Sequence, residues 1–177
     1  MNIIRFAFSA AILLAATAAF AAACGDDGES LSAEEYFAEL KSISDEAADK
    51  ESALQPSEEE AANFTGETER NFAIEFLDSE AAIIEDAFAQ IEDLNPPDDI
   101  KDAHDEFVRT GKERAETFRD FADQADDIAA ETEAIDEFFN TKVFVQSTFA
   151  PADEACSALQ EIAVAKEIDT DLSCEAE

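Results

Sequence analysis

The chain is punctuated for helices. Two capping boxes, Ser32-Ala33-Glu34-Glu35 and Ser57-Glu58-Glu59-Glu60, each set a serine hydroxyl to accept from a free helix N–H, with a glutamate three residues on that returns the bond. Proline closes or opens the segments at Gln55-Pro56, Asn95-Pro96-Pro97 and Ala150-Pro151. Between these marks apolar residues recur at helical spacing, and no run alternates as a half-buried strand does. The predicted fold is therefore all-α, an antiparallel bundle of about four helices in one domain over 32–177.

The segments follow from the stops. The first helix is expected over about 33–54, with Tyr36, Phe37, Leu40, Ile43, Ala47 and Leu54 on its apolar face. The second starts at Glu58 and carries Phe64, Phe72, Phe76, Ile83, Ile84, Phe88, Ile91 and Leu94. Gly66 weakens it, so a break is expected near Thr65-Gly66. Asp98 is expected to cap a long third helix reaching about Phe139, with a stripe that includes Ile100, His104, Phe107, Val108, Gly111, Ala115, Phe118 and Ile135. Residues 140–149 are β-branched and aromatic but have no second strand to pair with, and read as more helix or as a packed extended link. The last helix opens at Ala150-Pro151 and turns Leu159, Ile162, Ala163 and Ile168 inward.

Ahead of all this lies a different kind of segment. Arg5 precedes an apolar run from Phe6 to Ala23 that ends in Ala21-Ala22-Ala23-Cys24. This is the layout of a cleaved secretory signal over 1–23. With a cysteine at the cut, the thiol of Cys24 is the expected lipid attachment point. Ala21-x-Ala23 also suits an ordinary signal peptidase, and the run is long enough to span a bilayer if retained. Residues 24–31 are acidic and Gly-containing and read as a tether. Seven residues beyond the cysteine reach at most about 25 Å.

Cysteine arithmetic fits export. Lipidation of Cys24 leaves a pair, Cys156 and Cys174, in a compartment where disulfides persist. Cys156 lies about 18 Å before the end of its helix near Ile168, and the six residues to Cys174 can return roughly 20 Å. A bridge would pin the tail back along its own helix.

The 45 acidic and 11 basic residues give a net charge of −34. Nucleic-acid partners need a basic footprint, so none is expected. The same charge argues against electrostatic adhesion to anionic lipid, so the membrane link is expected to rest on the anchor. Disorder is not the expectation, because the twelve Phe that follow residue 23 and the periodic apolar positions supply a core. Two readings of the acidity stand: a solvated surface, or recruitment of divalent cations or a basic partner.

The search for chemistry is short. His104 is the one histidine, with Ile100, Lys101, Phe107 and Val108 at helical offsets and no carboxylate among them, so it reads as a packing or hydrogen-bonding residue. No E-x-x-H, C-x-x-C-H, G-x-S-x-G or phosphate-cradling glycine loop is present. No cofactor and no enzymatic activity are expected. Asp98, Asp99 and Asp102 at the start of the third helix are weak candidates for Ca²⁺ or Mg²⁺.

Several short motifs together resemble a group of uncharacterised small, acidic, helical bacterial lipoproteins. They are Cys24 with its acidic tether, Leu31-Ser32-Ala33-Glu34-Glu35-Tyr36-Phe37, Pro96-Pro97 seven residues before His104, and Cys156-Ser157-Ala158-Leu159-Gln160 with Leu172-Ser173-Cys174. The resemblance implies an exported bundle with a terminal disulfide and brings no activity with it. The expected role is a membrane-anchored, extracytoplasmic binding module at the cell envelope, with an envelope protein or a small solute as partner. The alternative is an acidic divalent-cation-binding envelope protein.

Overall fold

Both capping boxes form as written. In the computed structural model, which describes residues 30–145 and 148–174, the Ser32 N–H donates to Glu35 Oε2 at 3.0 Å and the Glu35 N–H to Ser32 Oγ at 3.2 Å. The same exchange joins Ser57 and Glu60. They start α1 (Ala33–Ala53) and α2 (Glu58–Ala62). Then follow α3 (Gly66–Glu92), α4 (Lys101–Asp126), α5 (Thr132–Phe138) with a π-helical turn over Phe139–Val143, and α6 (Ala150–Ala165). The expected signal, Cys24 and the tether as far as Glu29 lie outside the described residues. Among the described residues no helix is long and apolar enough to cross a membrane.

The helices α3 and α4 form a central antiparallel hairpin, with Glu92 against Lys112, Glu85 against Arg119, and Arg70 against Ile128. The first helix runs antiparallel along α3, from Leu31 at Asn95 to Lys50 at Asp86. The last does the same along α4, from Asp153 at Arg114 to Lys166 at Asp99. Gly111 lets the hairpin close, because a Cβ there would lie 2.1 Å from the Phe88 ring.

Three expectations are corrected. Asp98 does not cap α4. Ile100 holds the cap position with no side-chain bond, and the Pro97 carbonyl accepts from the Ile100 and Lys101 N–H groups instead. Ile100 is fully buried there, which the turn after the prolines permits.

The third helix does not reach Phe139, because it ends at Asp126. The α3 N-terminus seizes the following turn: Arg70 donates to the Ile128 carbonyl at 3.1 Å, and the Ala130 carbonyl sits where a Gly66 Cβ would be, 2.0 Å away. Turning back lets Ile135, Phe138 and Phe139 pack beside Leu77 and Phe118, whereas a straight helix would carry them past the end of α3. The break at Thr65-Gly66 is where the sequence puts it, and this contact is its reason.

The face of α3 is also shifted. Ala73, Leu77, Ala81 and Ile84 are buried, while Phe72 and Phe76 stand half-buried and stack outward to Phe64 with ring centroids 6.0 and 5.1 Å apart.

Two buried clusters result. The entry-end core, next to Leu31, holds Tyr36, Phe37, Leu40, Ile91, Ile100, Phe107 and Leu159. The distal core holds Leu77, Ile84, Phe118, Phe121, Ile135, Phe138 and Phe139. Phe88 packs against both. Cys156 and Cys174 are joined, with Cα atoms 5.6 Å apart. The Gln160 amide adds to the staple: its Nε2 donates to the Thr170 carbonyl at 2.9 Å and its Oε1 accepts from the Leu172 N–H at 2.8 Å.

Candidate functional site

Where the prolines stop α3 and the chain turns into α4, the two helices part and leave an open groove of about 460 Å³. Leu94, Pro96 and Val108 give it an apolar wall, and Lys101, Arg109 and Lys112 its cations. The spacing of α4 explains the grouping: 101, 104, 105, 108, 109 and 112 fall three and four residues apart, on one face. The Leu31 N–H donates to the Asn95 carbonyl at 2.8 Å, so the chain enters the domain at the groove's edge.

His104 forms part of the lining although only 4% of it is exposed. Its Nδ1 lies 3.1 Å from the Tyr36 hydroxyl, and Tyr36 is completely buried. The direction of that bond follows from satisfying every buried donor. If Nδ1–H donated to the phenol oxygen, the phenol proton would be left orphaned in the core, at the full desolvation penalty. The phenol therefore donates to Nδ1, and His104 carries its proton on Nε2. Burial holds the imidazole below its ordinary pKa, against the opposing pull of Asp105 and Glu92, and burial pushes the Tyr36 phenol up. Both groups are thus neutral near pH 7, and Nε2, the ring nitrogen that Tyr36 does not take, is the donor that His104 has left for the groove it lines.

The cations around it are engaged only at the surface. Lys101 meets Asp105 at 2.9 Å, Lys112 meets Glu92 at 2.6 Å, and Arg109 is held between Glu106 and Glu113 at 2.5 Å each. All of these side chains are more than 40% exposed, so water screens each pair and the partners can be exchanged. The hydrogen bonds from Glu106 and Glu113 hold the Arg109 guanidinium above its usual pKa.

A second depression, under α2, is larger at about 570 Å³ and is lined by Ser57, Glu59, Glu60, Asn63, Phe64 and Thr68. It has no cation and no buried polar group, so the groove beside His104 is the better candidate.

The other expected site residues fall elsewhere. Cys156 and Cys174 close the tail, and Cys24 lies outside the described residues. Asp98, Asp99 and Asp102 are exposed, and Asp99 takes the Lys166 ammonium at 2.5 Å, which holds its carboxyl below the usual range. Among the described residues no group of three or more His, Cys, Asp or Glu side chains is placed to hold a metal ion.

One polar cluster went unread in the sequence. Glu80 is 9% exposed, and burial, reinforced by the Glu51 charge and opposed by Arg114, pushes its carboxyl up to about 7. Arg114 in turn meets Asp153 at 3.3 Å and lies 4.7 Å from the centre of the Phe149 ring. The signal was present: Ala73, Leu77, Glu80 and Ile84 follow the spacing of the buried stripe of α3.

Comparison of the chain with protein-family models, with curated proteins and with solved structures finds no match, so the groove's chemistry has to speak for itself.

Proposed function

We propose that this chain is an exported lipoprotein, anchored at Cys24 and working outside the cytoplasm at the cell envelope as a non-enzymatic binding domain. The Cys156–Cys174 disulfide is the observation that carries the reading, because such bonds form and persist in oxidising compartments. The leader over 1–23 supports the same address. Binding, and not turnover, is favoured by the state of the only histidine. With Nδ1 accepting from Tyr36 and Nε2 protonated, His104 offers no free lone pair to act as a base. The partner is an envelope protein or a small solute, and the membrane is held through the lipid alone.

Intact mass spectrometry of protein extracted in mild detergent from its own membranes tests this. The expected species lacks residues 1–23, carries acyl chains on Cys24 and is two protons lighter than the dithiol. A species that keeps the leader, or one with an unmodified Cys24, would overturn the anchor. A turnover activity abolished by His104→Gln in folded protein would overturn the binding reading.

A further inference from the structure

We infer that the groove beside His104 is a binding site for a phosphoryl group on an organic carrier. The inference rests on reading the domain as a binding module, and adds the chemistry of what it binds.

The chain is acidic almost everywhere, yet three of its 11 basic residues gather round this one opening, where Glu92 and Asp105 of the same lining pair with Lys112 and Lys101. Between them lies His104, whose Nδ1 is engaged from behind by the buried Tyr36 hydroxyl, which leaves Nε2–H as its donor. A donor held in this way is pre-organised, since neither ring rotation nor proton exchange is free to turn it into an acceptor. Lys101 and Lys112 are eleven residues apart on α4, roughly 16 Å along the axis. Both stand on the face that carries His104, one on each side of it along the axis.

A carboxylate accepts in one plane, whereas a phosphoryl group accepts from several directions at once, which suits a donor with cations on either side. The carboxylates that now hold these cations are exposed and exchangeable, and a tetrahedral anion can displace them. The apolar wall of Leu94, Pro96 and Val108 gives the carrier a place to lie. In the anchored protein the groove borders the point where the tether enters, at Asn95, so phospholipid headgroups lie within reach of it.

The single histidine makes the test direct, because the imidazole region of a 15N NMR spectrum then reports His104 alone. Full-length protein in a phosphate-free maltoside detergent is titrated with glycerol 3-phosphate, using sodium chloride at matched ionic strength as control. The same protein is then moved into phosphatidylglycerol vesicles with no free phosphate. A saturable displacement of the Nε2–H signal by glycerol 3-phosphate, weakened about tenfold in Lys101→Gln/Lys112→Gln, supports the site. Displacement in vesicles alone, with the same dependence on the two lysines, supports it with the lipid headgroup as source. No displacement in either arm, an equal displacement by chloride, or one unchanged in the double variant overturns it. These readouts do not depend on whether Cys24 carries lipid, so this site and the anchor can fail separately.

Discussion

The core at the entry end is closed by a disulfide and a buried hydrogen bond, whereas the distal core is closed by aromatic rings. At the entry end Cys156–Cys174 and Gln160 hold the tail over Leu159, and Tyr36 reaches across to His104. Among the described residues the distal core has no disulfide, and its bond from Arg70 to the Ile128 carbonyl is only part-buried. Phe118 stacks on Phe149 at 5.0 Å, Phe121 meets Phe138 edge-on at 6.1 Å, and Phe139 leans on Phe144, which is 48% exposed. The difference follows the division of labour between the ends. On the inference that the groove binds a ligand, the entry end has to hold a groove and its donor in fixed geometry, and buried polar bonds specify geometry more sharply than apolar contact does. The distal end only has to bury area, and rings do that efficiently.

The largest effects should come from emptying either core. Phe37→Ala at the entry end and Phe121→Ala at the distal end should each lower stability by about 3–5 kcal/mol. The helices α3 and α4 run through both cores and Phe88 packs on both, so each variant is expected to unfold in one urea transition seen alike by near- and far-ultraviolet circular dichroism. Two separated transitions in Phe121→Ala would break the molecule into two units at Gly111.

Reducing the disulfide should come next, at about 3 kcal/mol for a bridge spanning 18 residues. The loss should be asymmetric. Amides of residues 168–174 and the last turn of α6 should exchange fastest, ahead of those in α5. Equal loosening at both ends would show that the staple acts only through global stability.

The two ends also answer pH with opposite signs. Glu80 has a folded pKa of about 7, above its ordinary value of 4.5, so the folded state holds this proton more tightly than the unfolded state does. Its contribution is complete below about pH 4.5 and is lost as pH rises through 7. Glu80→Gln should therefore raise the melting temperature at pH 8, by the equivalent of at most about 3 kcal/mol, and change little at pH 4. His104 is lowered from 6.5, so its stabilisation is present above that value and is lost as pH falls through the folded pKa. A Glu80→Gln variant shifted equally at pH 4 and pH 8 would sink the titration account.

These effects also show what the sequence could reveal. Local signals were legible because their causes are local: both capping boxes, the proline stops and the weak point at Gly66 are where the chain says they are. The end of α4 was not legible. Asp127-Ile128-Ala129-Ala130-Glu131 continues the helical pattern, and only Arg70 and Gly66, some sixty residues earlier, turn it aside. The site divides in the same way. His104 could be read as part of an apolar stripe, but its partner is 68 residues away, and that partner is what fixes the tautomer. Five of the 11 basic residues fall within α4, a bias visible in the sequence that acquires meaning only when α3 leaves a groove beside three of them.

The smallest effect sharpens the picture of the stapled end. After α6 the Glu167 N–H donates to the Val164 carbonyl and the Ile168 N–H to the Ala163 carbonyl, both at 3.0 Å. This is the paired bonding that ends a helix through a left-handed residue, and Glu167 occupies that place with φ 59°. Glycine is the usual residue there because it has no Cβ to strain. Glu167→Gly should stabilise the protein by about 0.5–1 kcal/mol, read as a higher urea midpoint at an unchanged slope. The gain should survive in 1 M salt. If salt abolished it, the benefit would come from removing one charge from an acidic surface, and the strained turn would not be what holds the tail in register for its disulfide.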